Sequence, residues 1–184
     1  MNNPNDLAAF LDLAWLHLSR GVADAKSPAR FPTFATVTQD GKPMARTVAM
    51  RRADRRQAVI EVHTDIATPK VAELTHTPYG ALHFWLPKAD LQMRVNTRVE
   101  IVTGEQTRQA WDKVPPASRV SYGTEPLPGT PIKDVYAYEK PALFSRFAVL
   151  ICHIEQIDLV ELGPKHRRAG YDADTNWQGH WRAP

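Results

Sequence analysis

At 184 residues the chain has the length of one domain with a sizeable core. Its 43% hydrophobic and 23% charged residues are near ordinary globular values, which excludes a low-complexity or membrane-buried composition. The net charge of +3 comes from basic residues scattered along the chain rather than in runs, so it argues against a nucleic-acid surface and suits a small anionic ligand.

Residues 6–20 are predicted to form an amphipathic helix. Asp6 is placed to cap it, and Leu7, Phe10, Leu11, Ala14, Trp15 and Leu18 recur at three- and four-residue spacing. Gly21 reads as its stop signal. The polar stretch before it has no basic segment, and Asp12 and His17 interrupt the apolar run, so neither a signal peptide nor a membrane span is expected. A first strand is predicted over 34–38, and the Asp40-Gly41 pair signals a hairpin into a return strand over 43–51. After a charged turn at 53–56 comes a strand over 58–64. A helix over 68–74 follows, with Thr68 as N-cap and Pro69 in its first turn. Strands over 80–86 and 91–103 precede a short helix at 106–111, a proline-rich loop at 118–132 and a long strand over 144–159. The tail is read as polar, without a strand. The single cysteine, Cys152, excludes a disulfide within the chain, reads as a small buried hydrophobe and suits a cytoplasmic protein.

Six antiparallel β segments with one or two short helices indicate a mainly β protein built as a small barrel. The domain is expected to span residues 1–184, with its barrel core over about 31–160 and its tail over 161–184. Phosphate-binding Gly-rich loops, Cys-x-x-Cys and His-Glu-x-x-His are absent, and the histidines lack metal-ligand spacing, so no metal is expected. What remains is a set of cations and hydroxyls at strand ends. Thr64 closes one strand, while Thr68, Pro69 and Lys70 open a helix, and a helix start with free N–H groups beside a lysine suits an anion. Arg46 on a neighbouring strand could add a bidentate grip on phosphate. The bland alternative is a helix cap beside solvated charges.

Four stretches in register carry a resemblance. They are Arg46-Thr47-Val48-Ala49-Met50-Arg51, Glu61-Val62-His63-Thr64-Asp65 with Thr68-Pro69-Lys70, Thr77-Pro78-Tyr79-Gly80-Ala81-Leu82-His83-Phe84-Trp85, and Leu91-Gln92-Met93-Arg94-Val95. Together they resemble the FMN-binding split barrel of the pyridoxamine 5'-phosphate oxidase family, here six-stranded and antiparallel. In the tail, His166-Arg167-Arg168 and Trp181-Arg182-Ala183-Pro184 echo the family's C-terminal pattern.

The resemblance implies FMN as cofactor and a homodimer with the flavin at the subunit interface, with neither nucleic acid nor membrane as a partner. It implies that Arg46 and Lys70 hold the FMN phosphate with Thr64 and Thr68. His63 stands where the family has tyrosine and would line the ribityl or phosphate path. The backbone of Thr47, Val48 and Ala49 would meet the ring edge, Gln92 would bond the ring, and Arg168 would reach it across the dimer. Arg51 replaces a substrate-gripping lysine and is counted with both the cofactor and the substrate residues. Ser118, Arg119 and His166 complete the candidate substrate set, and no catalytic residue is assigned. Pro69 and Pro164 stand where the family carries arginines, and the loop at 123–131 resembles an FMN-binding side branch. The implied function is an FMN-dependent oxidoreductase, with pyridoxamine or pyridoxine phosphate as the default substrate. The alternatives are a non-catalytic flavin store or redox sensor, and a haem- or deazaflavin-binding barrel.

Overall fold

A computed structural model describes residues 5–184. The first four residues of the polar N-terminal stretch and of the expected domain lie outside the described part. Helix α1 (Leu7–Ala23) starts as predicted: Asp6 accepts the Ala9 N–H at 3.0 Å. It does not stop at Gly21. That glycine lies inside the helix, where a Cβ would stand 2.6 Å from the Met50 methyl and 2.9 Å from the Ala29 backbone. Its role is close packing rather than termination.

The strands are β1 (Thr33–Val37), β2 (Pro43–Thr47), β3 (Met50–Asp54), β4 (Val59–Asp65), β5 (Tyr79–Leu86), β6 (Leu91–Thr103), β7 (Phe147–Glu161), β8 (Arg167–Asp172) and β9 (Gly179–Arg182). All pair antiparallel, in the order β2-β1-β5-β6-β7-β4-β3, with β8 added to β7 and β9 to β8. The architecture is a mainly β antiparallel sheet with few helices. The nine strands correct the expected six in two places. The predicted return strand breaks at Val48, whose N–H turns away to donate to the Pro32 carbonyl at 3.0 Å. The tail, read as strandless, forms the β8–β9 hairpin, because Ala169 and Tyr171 alternate inward beneath α1 while polar neighbours face out.

Strand β7 organises the sheet. Along one edge it pairs with all of β6; along the other, its first half takes β4 and its second half takes β8. Alternation puts Ile60, Val62, Leu150, Cys152, Leu82, Phe84 and Met93 in the main core with α1. The opposite face of β4 and the first half of β7 carries a second, smaller core: Phe147 and Val149 pack with Trp111, Val114 and Tyr122. The segment read as one helix at 106–111 is a 3-10 turn followed by α3 (Arg108–Asp112), with α4 (Pro116–Arg119) beyond Pro115. Burial pushes the Cys152 thiol up to about 12, so it stays protonated and unreactive in the core.

The loop after α4 is tied back by a buried ion pair. Asp65 accepts from Arg146 at 2.9 and 3.1 Å, from Ala67 N–H at 2.8 Å and from Gly123 N–H at 2.7 Å. Gly123 has φ +131°, and a Cβ there would meet the Pro141 carbonyl at 2.3 Å, so only glycine fits this junction.

Candidate functional site

Helix α2 (Pro69–His76) begins with Thr68 as N-cap and Pro69 in its first turn, as predicted. The Thr68 hydroxyl does not cap its own helix. It donates to the Asp65 carbonyl at 2.8 Å and accepts from Lys70 Nζ at 3.0 Å. Lys70 Nζ also donates to the Thr64 hydroxyl at 3.0 Å, and the two hydroxyls stand 3.2 Å apart. Among the described residues no carboxylate lies within ion-pair distance of Lys70. Burial lowers its pKa, and the nearby Arg46 guanidinium lowers it further. A desolvated ammonium hydrogen-bonded to two hydroxyls, with the Asp65 and Glu73 carboxylates acting on it only from beyond ion-pair distance, has the donors for an oxyanion. The donor set therefore fits the phosphate of a nucleotide cofactor such as FMN.

Arg46 joins this cluster but is partly committed. It pairs with the buried Glu73 at 3.0 Å, donates to the Thr36 hydroxyl, and reaches the Phe34 carbonyl at 3.3 Å. The Thr36 hydroxyl donates to the same Glu73 carboxylate. Glu73 was not identified from sequence. The available signal was its place one turn after Lys70, which puts both on one side of α2.

Arg51 and His63 lie on the other side of β4. Met50 faces the main core and pairs with Val62, and a bulge then makes Arg51 the extra residue before the Arg52–Glu61 pair. Arg51 faces His63 and Tyr122. Burial raises the Tyr122 hydroxyl pKa, and Arg51 opposes that shift. His63 is driven down to about 4 by burial, with Arg51 adding to it. Its Nδ1 is buried without a hydrogen-bond partner among the described residues, and its ring packs edge-on against Phe147. A cavity of about 680 Å³ opens here between the sheet and α3. Arg30, Arg51 and Lys113 bring positive charge to it, while its one acidic group, Glu61, is paired with Arg52 at 2.5 Å. Tyr122 was not identified from sequence; the loop carrying it is positioned by the Asp65 junction and by packing on Trp111 and Phe147.

The remaining candidates disperse. Thr47 ends β2, paired with Thr33, and Val48 is buried with its N–H spent on Pro32; Ala49 follows it in the short link to β3. Ser118 and Arg119 do not line the 680 Å³ cavity. Arg119 donates to the Val114 and Asp112 carbonyls at 3.0 and 3.3 Å and stacks on Trp111, which fastens α4 to α3. Gln92 lies on the outer sheet face in a row with Trp85, Val160 and Arg168. Arg168 bonds the buried Asp158 there, so neither residue joins Lys70 within one chain. His166 lines a separate cavity of about 950 Å³ beside β8 and β9. Among the described residues no group of acidic, cysteine and histidine side chains could hold a metal ion, and no helix is long and apolar enough to cross a membrane.

The chain is similar to known proteins in sequence and in fold. Residues 13–103 match the family model "Pyridoxamine 5'-phosphate oxidase, FMN-binding domain". The pyridoxine/pyridoxamine 5'-phosphate oxidase 2 of Arabidopsis thaliana is 25% identical over 170 residues, covering 83% of this chain and 85% of that protein. The pyridoxine/pyridoxamine 5'-phosphate oxidase of Chromohalobacter salexigens is 40% identical over 98 residues, 53% of this chain but 45% of that one. Against this second relative, then, the chain spans less than half of the curated length. Among solved structures, a pyridoxamine 5'-phosphate oxidase-related, FMN binding protein from Nostoc punctiforme superposes with a TM-score of 0.76 at 21% identity, covering 94% of this chain and 96% of that one. PhzG from Burkholderia lata, in complex with tetrahydrophenazine-1-carboxylic acid, gives 0.72 at 19% identity, covering 99% and 95%. At those identities the two structures speak for the fold alone. Residues 13–103 of the chain belong to the pyridoxamine 5'-phosphate oxidase, FMN-binding domain family.

Proposed function

We propose that this protein binds FMN and acts as an oxidoreductase related to the pyridoxine/pyridoxamine 5'-phosphate oxidases. The observation that carries the reading is the Lys70 ammonium, held by Thr64 and Thr68, beside Arg46 and without a carboxylate partner. In this reading Lys70 supplies the charge for the cofactor phosphate, the two threonine hydroxyls supply hydrogen bonds, and Arg46 presents whatever donor capacity Glu73 leaves it. The sheet closes as a split barrel, and a second copy of the chain completes the pocket with Arg168 and Gln92 toward the ring. Bound FMN would supply two-electron redox chemistry. The cavity beside Arg51 would receive the substrate, with a phosphorylated pyridoxamine or pyridoxine as the default. His63, neutral above about pH 4, would present hydrogen-bonding nitrogens there without adding charge.

One observation favours a second reading, in which the protein binds FMN without oxidising such a substrate. Ser118 and Arg119 were expected to grip substrate phosphate, yet they stand outside the cavity and Arg119 is spent on α3. A visible spectrum of protein mixed with FMN, followed by anaerobic addition of pyridoxamine phosphate, separates the two. Bleaching of the flavin bands supports the oxidase. Bound flavin that stays oxidised supports the binding role, and failure to bind flavin removes both.

A further inference from the structure

The charge pattern of the cavity beside Arg51 selects among substrates. Arg30, Arg51 and Lys113 line it, and among the described residues none of the three has a carboxylate within ion-pair distance. Arg52, the fourth cation of the lining, is shared between Glu61 at 2.5 Å and Asp54 at 2.7 Å. Four cations thus face two carboxylates, which leaves two positive charges uncompensated. The three unpaired cations come from three elements. Arg51 is the bulged residue of β3. Arg30 ends the 3-10 turn after α1, where its Nη1 donates to the Val22 carbonyl at 3.0 Å and its Nε and Nη2 keep their donors unused among the described residues. Lys113 caps the end of α3. They do not form one cluster: Arg51 acts on His63 and Tyr122, whereas Arg30 and Lys113 act on neither.

Between the cations the walls are apolar. Val102, Val149 and Ile151 line the cavity from the sheet, and Ala110 and Val114 from α3. The one hydroxyl side chain of the lining, Thr107, has its proton spent on the Gly104 carbonyl at 2.7 Å. A phosphate is best held by several converging donors. Guanidinium forks set apart match planar carboxylates one to one. A substrate ammonium would meet two surplus positive charges and no free carboxylate, which weakens its binding. We propose that the substrate of this cavity is a small dicarboxylic acid with an apolar body and no ammonium group, one carboxylate on Arg51 and the other on Arg30 or Lys113. The inference rests on the reading that this cavity receives the substrate, and it narrows that reading away from pyridoxamine phosphate.

The test is calorimetric titration at low ionic strength with probes that share one ring: terephthalate, benzoate and 4-(aminomethyl)benzoate. Terephthalate should bind at least roughly tenfold more tightly than benzoate, the scale of one charge-assisted hydrogen bond, and 4-(aminomethyl)benzoate more weakly than benzoate. Arg51→Gln should weaken both acids. The double variant Arg30→Gln, Lys113→Gln should bind terephthalate no better than benzoate, while Lys42→Gln, in the turn between β1 and β2, keeps the preference. Thermal melting confirms that each variant is folded. Equal affinity for terephthalate and benzoate, or tighter binding of 4-(aminomethyl)benzoate, overturns the proposal. So does tighter binding of phenyl phosphate than of terephthalate, which would assign the cavity to a phosphate monoester. The titrations are run with and without FMN. Failure to take up FMN with the preference intact refutes the proposed cofactor and leaves the dicarboxylate site standing; FMN uptake with the preference absent does the reverse.

Discussion

Replacing Lys70 with methionine separates cofactor binding from folding. The lysine has no carboxylate to lose, only the hydroxyls of Thr64 and Thr68, which can bond each other across their 3.2 Å separation. Its ammonium is also desolvated beside Arg46, so removing it relieves a strain on the free protein. Folding stability should therefore change little. FMN should lose one charge-assisted hydrogen bond of about 1.5–3 kcal/mol, a weakening of roughly 10- to 150-fold in Kd. Arg46→Met should in addition destabilise the fold, because it strands the buried Glu73 and costs on the order of 3–5 kcal/mol of stability. Fluorescence titration with FMN and urea unfolding, run on both variants, read the two effects. An FMN affinity within twofold of the parent in Lys70→Met would refute the assignment, as would an equal loss in Arg108→Ala. The pH dependence follows with a definite sign. Because the folded-state pKa of Lys70 is lowered from 10.5, the unfolded chain holds that proton more tightly, and the free protein gains stability as pH rises between the lowered value and 10.5. FMN affinity should fall over the same range as the ammonium is lost.

His63 makes the corresponding prediction in acid. Its pKa moves from 6.5 to about 4 on folding, so stability present above pH 6.5 should be lost as pH falls toward 4, by up to about 3 kcal/mol; in His63→Phe, urea midpoints across that range should lose this slope. Asp65→Ala leaves the Gly123 N–H and the Nε side of the Arg146 guanidinium without their acceptor while Glu125 still holds Nη1, and should lower stability by about 1–3 kcal/mol in urea unfolding. Gly21→Leu forces a side chain into the Met50 and Ala29 contact, and should cost about 1–3 kcal/mol with a lower melting temperature.

Much of the fold was legible because its signals are local. The Asp6 cap, the Asp40-Gly41 hairpin, Pro69 opening α2 and the alternation through Leu91, Met93 and Val95 each involve neighbours in the chain, and each appears where expected. The β8–β9 hairpin was missed because its inward residues, Ala169 and Tyr171, are too few to mark a period, and the packing that selects it comes from α1 at the other end of the chain. Gly21 shows the same limit. A helix-stop signal and a close-packing glycine look identical in sequence, and only the approach of Met50 and Ala29 distinguishes them.

The candidate site divides along the same line. Arg46 and Arg51 stand five residues apart, and alternation along one strand would put them on opposite faces. They do lie on opposite faces, but by another route: the chain leaves β2 at Val48, re-enters the sheet as β3, and bulges at Arg51. Strand β4 thus separates two cationic regions, with Thr64 and Lys70 on one side and His63 with Arg51 on the other. Residue type and spacing identified most of these cations without showing which were already neutralised. Glu73 reaches Arg46 only because α2 lies across β1, Glu61 reaches Arg52 across a strand pair, and Asp158 collects arginines from three strands. Lys70 is left as a half-buried cation of α2 with hydroxyls and no carboxylate within ion-pair distance, and that difference in pairing, rather than its charge, is why the phosphate is assigned to it.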